Sequence, residues 1–484
     1  GIDREVWGVT FDVNYAFNDA WSLNWISNYR TFESLEVFDA DGSPAYWLEF
    51  AEDAEGEQWS SEMRVNYDNG GALRGFVGAS FFWEDGTQRV PFETDEATFA
   101  ACLAGFCRAP NGTYLAIDFN PASPSFMFPV PRALAPDIIH QEVFANTARN
   151  KTFSVYADAS YDVTGWLEVT AGVRYQHESR LSGFMSDWSP ALLTGASLLP
   201  IGFTDGEFLF GQKESFDAVL PRFNLKARLS ETANAYVSVG KGRRSPVVNV
   251  QGDTTAPGAI VTDVLPSEII WNYEAGIKGT SASGRVQYDA AIFFQDYDNF
   301  QTTVIEDGLQ VPVNAGTATA WGWEASVIGR PAEFLDLFFN VGYTDAKFED
   351  EDSAGNPQLF AGNRFRLQPK WTASAGFSAF RPVGNLGEIF FTGTWTFRSR
   401  VFFENENTPK AGLDIAEDSV SLVNLSAGLR ALDDMWQVEA YVKNVFNRRY
   451  LIDAGNTGGN PLFNTPTFIA GAPRFYGVAL TGRF

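Results

Sequence analysis

Few residues of this chain have side chains that could do chemistry, and they are scattered. The only cysteines, Cys102 and Cys107, sit five apart in ACLAGFC. No histidine lies beside them to complete a zinc site, so the pair reads as a small disulfide-closed loop made in an oxidising compartment. His140 and His177 are the only histidines, and each reads as incidental rather than as an axial ligand. The sequence has no Gly-x-Ser-x-Gly, no His-Glu-x-x-His and no phosphate loop. Catalysis, a resident metal and a cofactor are therefore not expected. What remains is anion recognition. Arg244 in AYVSVGKGRR, and Arg398 and Arg400 in IFFTGTWTFRSR, carry guanidinium forks that can bind carboxylate, catecholate or phosphate oxygens two at a time.

Whether those arginines converge depends on the elements that carry them. In WQVEAYVK, Trp436, Val438, Ala440 and Val442 alternate with Gln437, Glu439, Tyr441 and Lys443, the period of a strand with one apolar and one polar face. The chain closes on a second such strand, where Tyr476, Val478, Leu480 and Phe484 share a face and Phe484 ends it. The same alternation is expected in about seventeen strands, from Arg4–Phe17 and Trp21–Ser34 through Val311–Arg330 and Glu388–Phe403 to Trp436–Tyr450 and Arg474–Phe484. In KTFSVYADASY, Phe153, Val155, Ala157, Ala159 and Tyr161 face one way, and Asp158 on the other face implies a wet interior. Short links such as Asp68 to Gly71 and Ser281 to Ser283 alternate with mostly long ones such as Leu35 to Glu57, Asp85 to Asn146 and Leu181 to Ser215. That rhythm belongs to outer-membrane barrels, whose short turns face the periplasm. A propeller would instead show a repeat of fixed period, and none is present.

Composition alone would also suit a large soluble protein of several domains, but two details lean toward a barrel. No apolar run approaches the roughly 18 residues of a spanning helix, yet the chain holds 43 Phe, 14 Trp and 16 Tyr against 4 Met. Alternation hides a barrel's membrane signal, because lipid-facing and lumen-facing residues average out. The net charge of −25 argues against nucleic acid as a partner. Counting back from Phe484 at the periplasmic side puts Gly1 on the extracellular side. Since bacterial single-chain barrels have even strand numbers, an amino-terminal portion is expected to precede these residues.

Several stretches, in order, carry a family resemblance: GEQWSSEMRVNYDN, LEVTAGVRYQHES, ANAYVSVGKGRRSP, PSEIIWNYEAGIKG with its following strand, VNAGTATAWGWEASVIGRP, SAGNPQLFAGNRFRLQPKW, WQVEAYVKNVFNRRY and APRFYGVALTGRF. Together they resemble the barrel of TonB-dependent outer-membrane receptors. The resemblance implies an all-β transmembrane antiparallel barrel of the 22-stranded type, with residues 1–484 as its carboxy-terminal part and the plug domain outside this sequence. It implies active uptake of a scarce nutrient, first a ferric siderophore, with energy from an inner-membrane TonB complex acting through the plug. Uptake of an oligosaccharide or other small organic nutrient, and a passive porin or adhesin barrel, are the alternatives. Lipid and lipopolysaccharide of the outer membrane are the expected surroundings.

Strand phase turns Arg244, Arg398 and Arg400 into the lumen near the extracellular mouth, as candidate receivers of an anionic ferric chelate. Pairing with plug or wall carboxylates is the plainer role for them. Lys241 and Arg243, on the opposite face, are expected at the outer rim beside lipid phosphates. The acidic stretch from Asp39 to Glu57 is read as solvated surface, since its spacing matches no calcium loop. Tyr46, Trp47, Phe50, Phe82 and Trp83 are read as girdle aromatics before sugar-stacking platforms. Tyr476, Val478, Leu480 and Phe484 are assigned to a barrel-assembly strand.

Overall fold

A computed structural model describes residues 1–39, 44–199, 201–306, 309–352, 355–407, 416–431, 435–455 and 467–483. Seventeen strands build one antiparallel sheet. They are β1 (Ile2–Ala16), β2 (Trp21–Asp39), β3 (Glu49–Asp68), β4 (Leu73–Asp95), β5 (Ile139–Asp162), β6 (Leu167–Trp188), β7 (Glu214–Arg228), β8 (Ala233–Arg244) and β9 (Glu268–Thr280). There follow β10 (Val286–Asp298), β11 (Ala318–Ala332), β12 (Leu335–Phe348), β13 (Trp371–Val383), β14 (Gly387–Arg398), β15 (Val420–Arg430), β16 (Trp436–Lys443) and β17 (Phe475–Gly482). Each pairs with its successor in sequence.

Short turns and long connections alternate without exception along these strands, so all the long connections leave from one end of the sheet. The tight end is made by residues suited to it. At Asp68 to Gly71, for example, the Asp68 carboxylate accepts the Gly70 N–H at 2.9 Å while Gly70 takes a positive φ of 73° that a side chain would disfavour.

The two faces differ as alternation requires. On β5, Phe153, Val155 and Tyr161 are exposed on the outer face, whereas Ser154 between them is buried and receives the Arg174 guanidinium at 3.0 Å. Asp158 on the inner face binds Arg222 of β7, Nε to Oδ2 2.7 Å. Outward aromatics cluster toward both ends, Trp7 and Tyr29 with Trp59 toward the long-connection end and Tyr15, Phe17, Trp21 and Tyr67 at the short-turn end, with Phe11 and Trp25 between them. Such paired girdles mark the two interfaces of a bilayer.

On β17, Tyr476, Val478 and Leu480 are 81%, 70% and 79% exposed on the outer face; Phe484 lies outside the described residues. Val478 sits in the middle of this lipid-facing row. We expect Val478→Arg to cost about 2–4 kcal/mol, read as a lower urea midpoint for folding into lipid vesicles.

Several strands run past the expected ends. β2 and β3 stay in register up to Asp39 opposite Glu49, β4 and β5 up to Asp95 opposite Ile139, and β6 reaches Trp188. Parts of the expected loops are therefore sheet. Their outer faces rise above lipid, so apolar alternation stops while backbone pairing continues. Conversely, the expected strand Val311–Arg330 begins at Ala318, because residues 309–314 pair with Gln301–Glu306 as a separate hairpin. Expected strands ending at Phe403 and Tyr450 stop at Arg398 and Lys443.

At the long-connection end the chain builds its own core. Helix α1 (Glu96–Leu103) starts at Asp95, whose carboxylate accepts the Thr98 N–H at 2.9 Å, a regular N-cap. Its Phe99 packs with Trp47, Leu48, Phe92, Phe184 and Leu198, inside the collar of extended strands. Cys102 and Cys107 lie against this core, with Sγ atoms 1.98 Å apart.

Candidate functional site

The long-connection end holds the three arginines singled out by sequence, each at or just beyond the end of a strand. Arg244 closes β8 opposite Glu268 on β9. Its side chain is 63% exposed; Nη1 donates to the Gln301 carbonyl at 3.1 Å and stands 3.9 Å from Glu268 Oε2. Glu268 itself is occupied by the Gln301 N–H at 2.8 Å. Most of the Arg244 fork therefore remains open to the mouth. Arg398 closes β14 and donates to the Leu451 carbonyl at 2.9 Å. Arg400 lies beyond the strand with its guanidinium 5.3 Å from the centre of the Phe402 ring, and Arg364 approaches the same ring at 5.6 Å. Arg244 is thus held by the connection after β10, and Arg398 and Arg400 by those after β14 and β16.

Lys241 lies where its phase puts it, on the outer face, 5.9 Å over the Trp271 ring. Arg243 does not. β7 and β8 remain paired only as far as Arg222 opposite Gly240, while β7 continues along β6 to Glu214. Freed from its neighbour, the end of β8 lets Arg243 turn away from lipid and reach Glu178 of β6, Nη2 to Oε2 2.5 Å, with the two side chains 2% and 4% exposed. Glu178 Oε1 also receives Gln176 at 2.8 Å and Ser245 at 2.7 Å. The Nε and Nη1 of Arg243 are buried without a partner among the described residues. The outer-rim role expected for Arg243 is corrected accordingly.

Sequence reasoning passed over Arg4 and Arg30. They line, with Phe32, Gln58, Glu84 and Asn150, a cavity of about 480 Å³ on the inner face of β1 to β5. Their signal was in plain view: both fall on the polar register of strands already identified.

The histidines occupy different settings. His177 faces outward with Asp217 at 2.9 Å. His140 is buried, Nε2 to Glu142 Oε1 2.8 Å and Nδ1 to Glu96 Oε1 3.6 Å. Glu96 accepts the Leu192 and Leu193 N–H groups at 3.0 and 2.8 Å, and Glu142 accepts the Ser197 hydroxyl at 2.5 Å. These carboxylates clamp the connection after β6 onto α1 and β5. Among the described residues no group of three His, Cys, Asp or Glu is arranged to hold a metal ion.

Trp47 and Phe50 belong to the core rather than to a girdle or a stacking platform. Tyr46 beside them is partly exposed and donates to the Glu93 carboxylate. That bond, then burial and the nearby charges of Glu93 and Glu49, push its phenol up to about 12. A raised value means this contact contributes stability fully below the ordinary tyrosine range near about 10 and loses it as pH climbs through about 12. Tyrosinate absorbance should place Tyr46 among the late-titrating phenols, and Glu93→Gln should move that one phenol back toward the ordinary range.

Comparison with known proteins agrees with this architecture. The family model described as TonB dependent receptor-like, beta-barrel, matches residues 1–445. The chain is 25% identical over 199 residues to the ferric-pyoverdine M114 receptor PbuA of Pseudomonas sp. (strain M114), covering 40% of this chain and 23% of that protein. Among solved structures, the ferric yersiniabactin uptake receptor FyuA from Yersinia pestis superposes with TM-score 0.72 at 17% identity, over 99% of this chain and 61% of that one. The ferric-catecholate import receptor Fiu from E. coli K12, in its closed form, gives TM-score 0.64 at 14% identity, over 99% and 64%. The chain thus spans less than two thirds of each of these proteins. It belongs to the TonB-dependent receptor-like β-barrel family, a family of receptors and transporters in the bacterial outer membrane.

Proposed function

We propose that this wall serves active uptake of a ferric siderophore across the outer membrane, in concert with a plug domain and an inner-membrane TonB complex. The observation that carries the reading is the open guanidinium fork of Arg244 at the mouth, with Arg398 and Arg400 on the same end of the sheet. Ferric chelates present carboxylate, catecholate or hydroxamate oxygens, and a planar fork matches such pairs. The names of the similar proteins, ferric-pyoverdine, ferric yersiniabactin and ferric-catecholate receptors, support the same ligand class. A sugar ligand is less well served, because Trp47 and Phe50, two aromatics that could have stacked on it, are committed to the core. The wall's role is transport, and no catalytic step is assigned to it.

The test is uptake of radioactive iron by cells, supplied as a panel of ferric siderophores. Arg244→Glu should lower uptake of one of them by about tenfold, the scale of a lost charge-assisted hydrogen bond. Unchanged uptake of every member after charge reversal at Arg244, Arg398 and Arg400 together would refute the role given to these residues.

A further inference from the structure

The lipid-facing wall is not uniformly convex. Between β10 and β15 it carries an apolar groove of about 580 Å³, lined chiefly by Val327, Leu337, Phe339, Ala375, Phe377 and Trp395. All six lie on the outer register, as the pairings Val327 with Phe339, Leu337 with Phe377 and Ala375 with Trp395 show. Small residues make the floor. A Cβ on Gly393 would stand 2.4 Å from the Phe377 ring, so that ring lies flat against the backbone instead of projecting into the groove. The groove opens toward the short-turn end, since Pro331 and Leu337, which flank the turn between β11 and β12, belong to its lining.

Arg381 stands at that end. It pairs with Ile389, an exposed outer-face residue of β14, which places it on the lipid-facing register two residues before β13 ends. It is exposed and has neither a hydrogen-bond nor an ion-pair partner among the described residues. Four residues separate it from Phe377, roughly 13 Å at about 3.3 Å per residue. That is the spacing of a lipid phosphate from the upper part of its own acyl chains, and a cation at a bilayer interface extends to such a phosphate.

A second groove offers a contrast. It measures about 690 Å³ and is lined by Leu73, Gly75, Val77, Ala157, Ala159 and Val173 among others. The cation on its border, Arg74, is bound to Asp162 at 3.0 Å and Glu168 at 2.5 Å, so it has no free charge for a headgroup.

We propose that the groove between β10 and β15 seats the acyl chains of one phospholipid of the periplasmic leaflet, with Arg381 holding its phosphodiester. The apolar lining supplies affinity for the chains, and Arg381, unpaired among the described residues, selects a lipid whose phosphate lies at its level. The second groove, lacking that cation, exchanges its lipid freely.

The test uses the receptor as purified from outer membranes, delipidated and incubated with vesicles of phosphatidylglycerol and phosphatidylethanolamine, then read by native mass spectrometry after detergent extraction. One phospholipid should remain on the wild-type protein. Arg381→Gln should lower its retention about fivefold, the worth of one basic residue at an anionic surface, while Arg381→Lys should keep it. Ala375→Trp, which fills the groove from the lipid side, should abolish retention; Ala159→Trp in the second groove should not change it. Heat-modifiable gel migration reports that each variant has folded. No retained phospholipid on the wild type, equal retention in Arg381→Gln and Ala375→Trp, an equal loss in Ala159→Trp, or lipopolysaccharide in its place would each overturn the proposal.

Discussion

Glu178→Ala should destabilise the upper wall by about 3–5 kcal/mol, the cost of leaving a buried guanidinium without its carboxylate. The size follows from what each partner keeps. Without Glu178, Arg243 has no acceptor among the described residues, because its Nε and Nη1 already lack one there. Without Arg243, Glu178 still accepts Gln176 and Ser245. Arg243→Met, which also fills the space left by the guanidinium stem, should therefore cost much less than Glu178→Ala, and Glu178→Leu combined with Arg243→Met should recover most of the loss. Urea unfolding from lipid vesicles reads all three. Equal costs for the two single substitutions would contradict the asymmetry.

Phe348→Ala should be comparably severe, about 3–5 kcal/mol. Phe348 is fully buried at the end of β12, with ring centres of Phe300 at 5.1 Å, Phe360 at 5.3 Å and Phe365 at 5.1 Å. This cluster, with Ala315 and Ala318 beneath it, pins the connections after β10 and β12 to the top of the sheet. The loss should be local. Amide exchange at Phe300, Ala315 and Gly362, whose N–H groups are bonded within this cluster, should accelerate by about two orders of magnitude or more, while amides of β5 and β6 keep their protection.

Within the bilayer the strands were legible because lipid writes them into the sequence. It demands an apolar residue at every second position, as at Phe153, Val155 and Tyr161, and it leaves the intervening positions polar. Above the bilayer nothing imposes that pattern. Glu49 to Glu57 reads as an acidic loop, yet each residue is in register with β2. The candidate site was legible to the same depth. Phase located Arg244 and Arg398, whose strands are paired to their last residue. It failed for Arg243, because the parting of β7 from β8 depends on where the intervening strand ends, and its partner lies 65 residues away. The clamp of Glu96, Glu142 and His140 was invisible for a similar reason: its partners are backbone N–H groups and the Ser197 hydroxyl of a connection whose course no local pattern sets.

Under the proposed uptake, the extended strands bear on how the mouth would capture its ligand. β4 and β5 are 23 and 24 residues long, whereas roughly 9–11 residues cross a bilayer, so more than half of each stands clear of it as continuous sheet. A ligand arriving on that side meets backbone that is already ordered and escapes the roughly 1–2 kcal/mol per residue needed to freeze a flexible loop. Under the proposed uptake, its rate of capture there would be set by diffusion and by the sign of charge on the rim, and hardly at all by waiting for a loop to close.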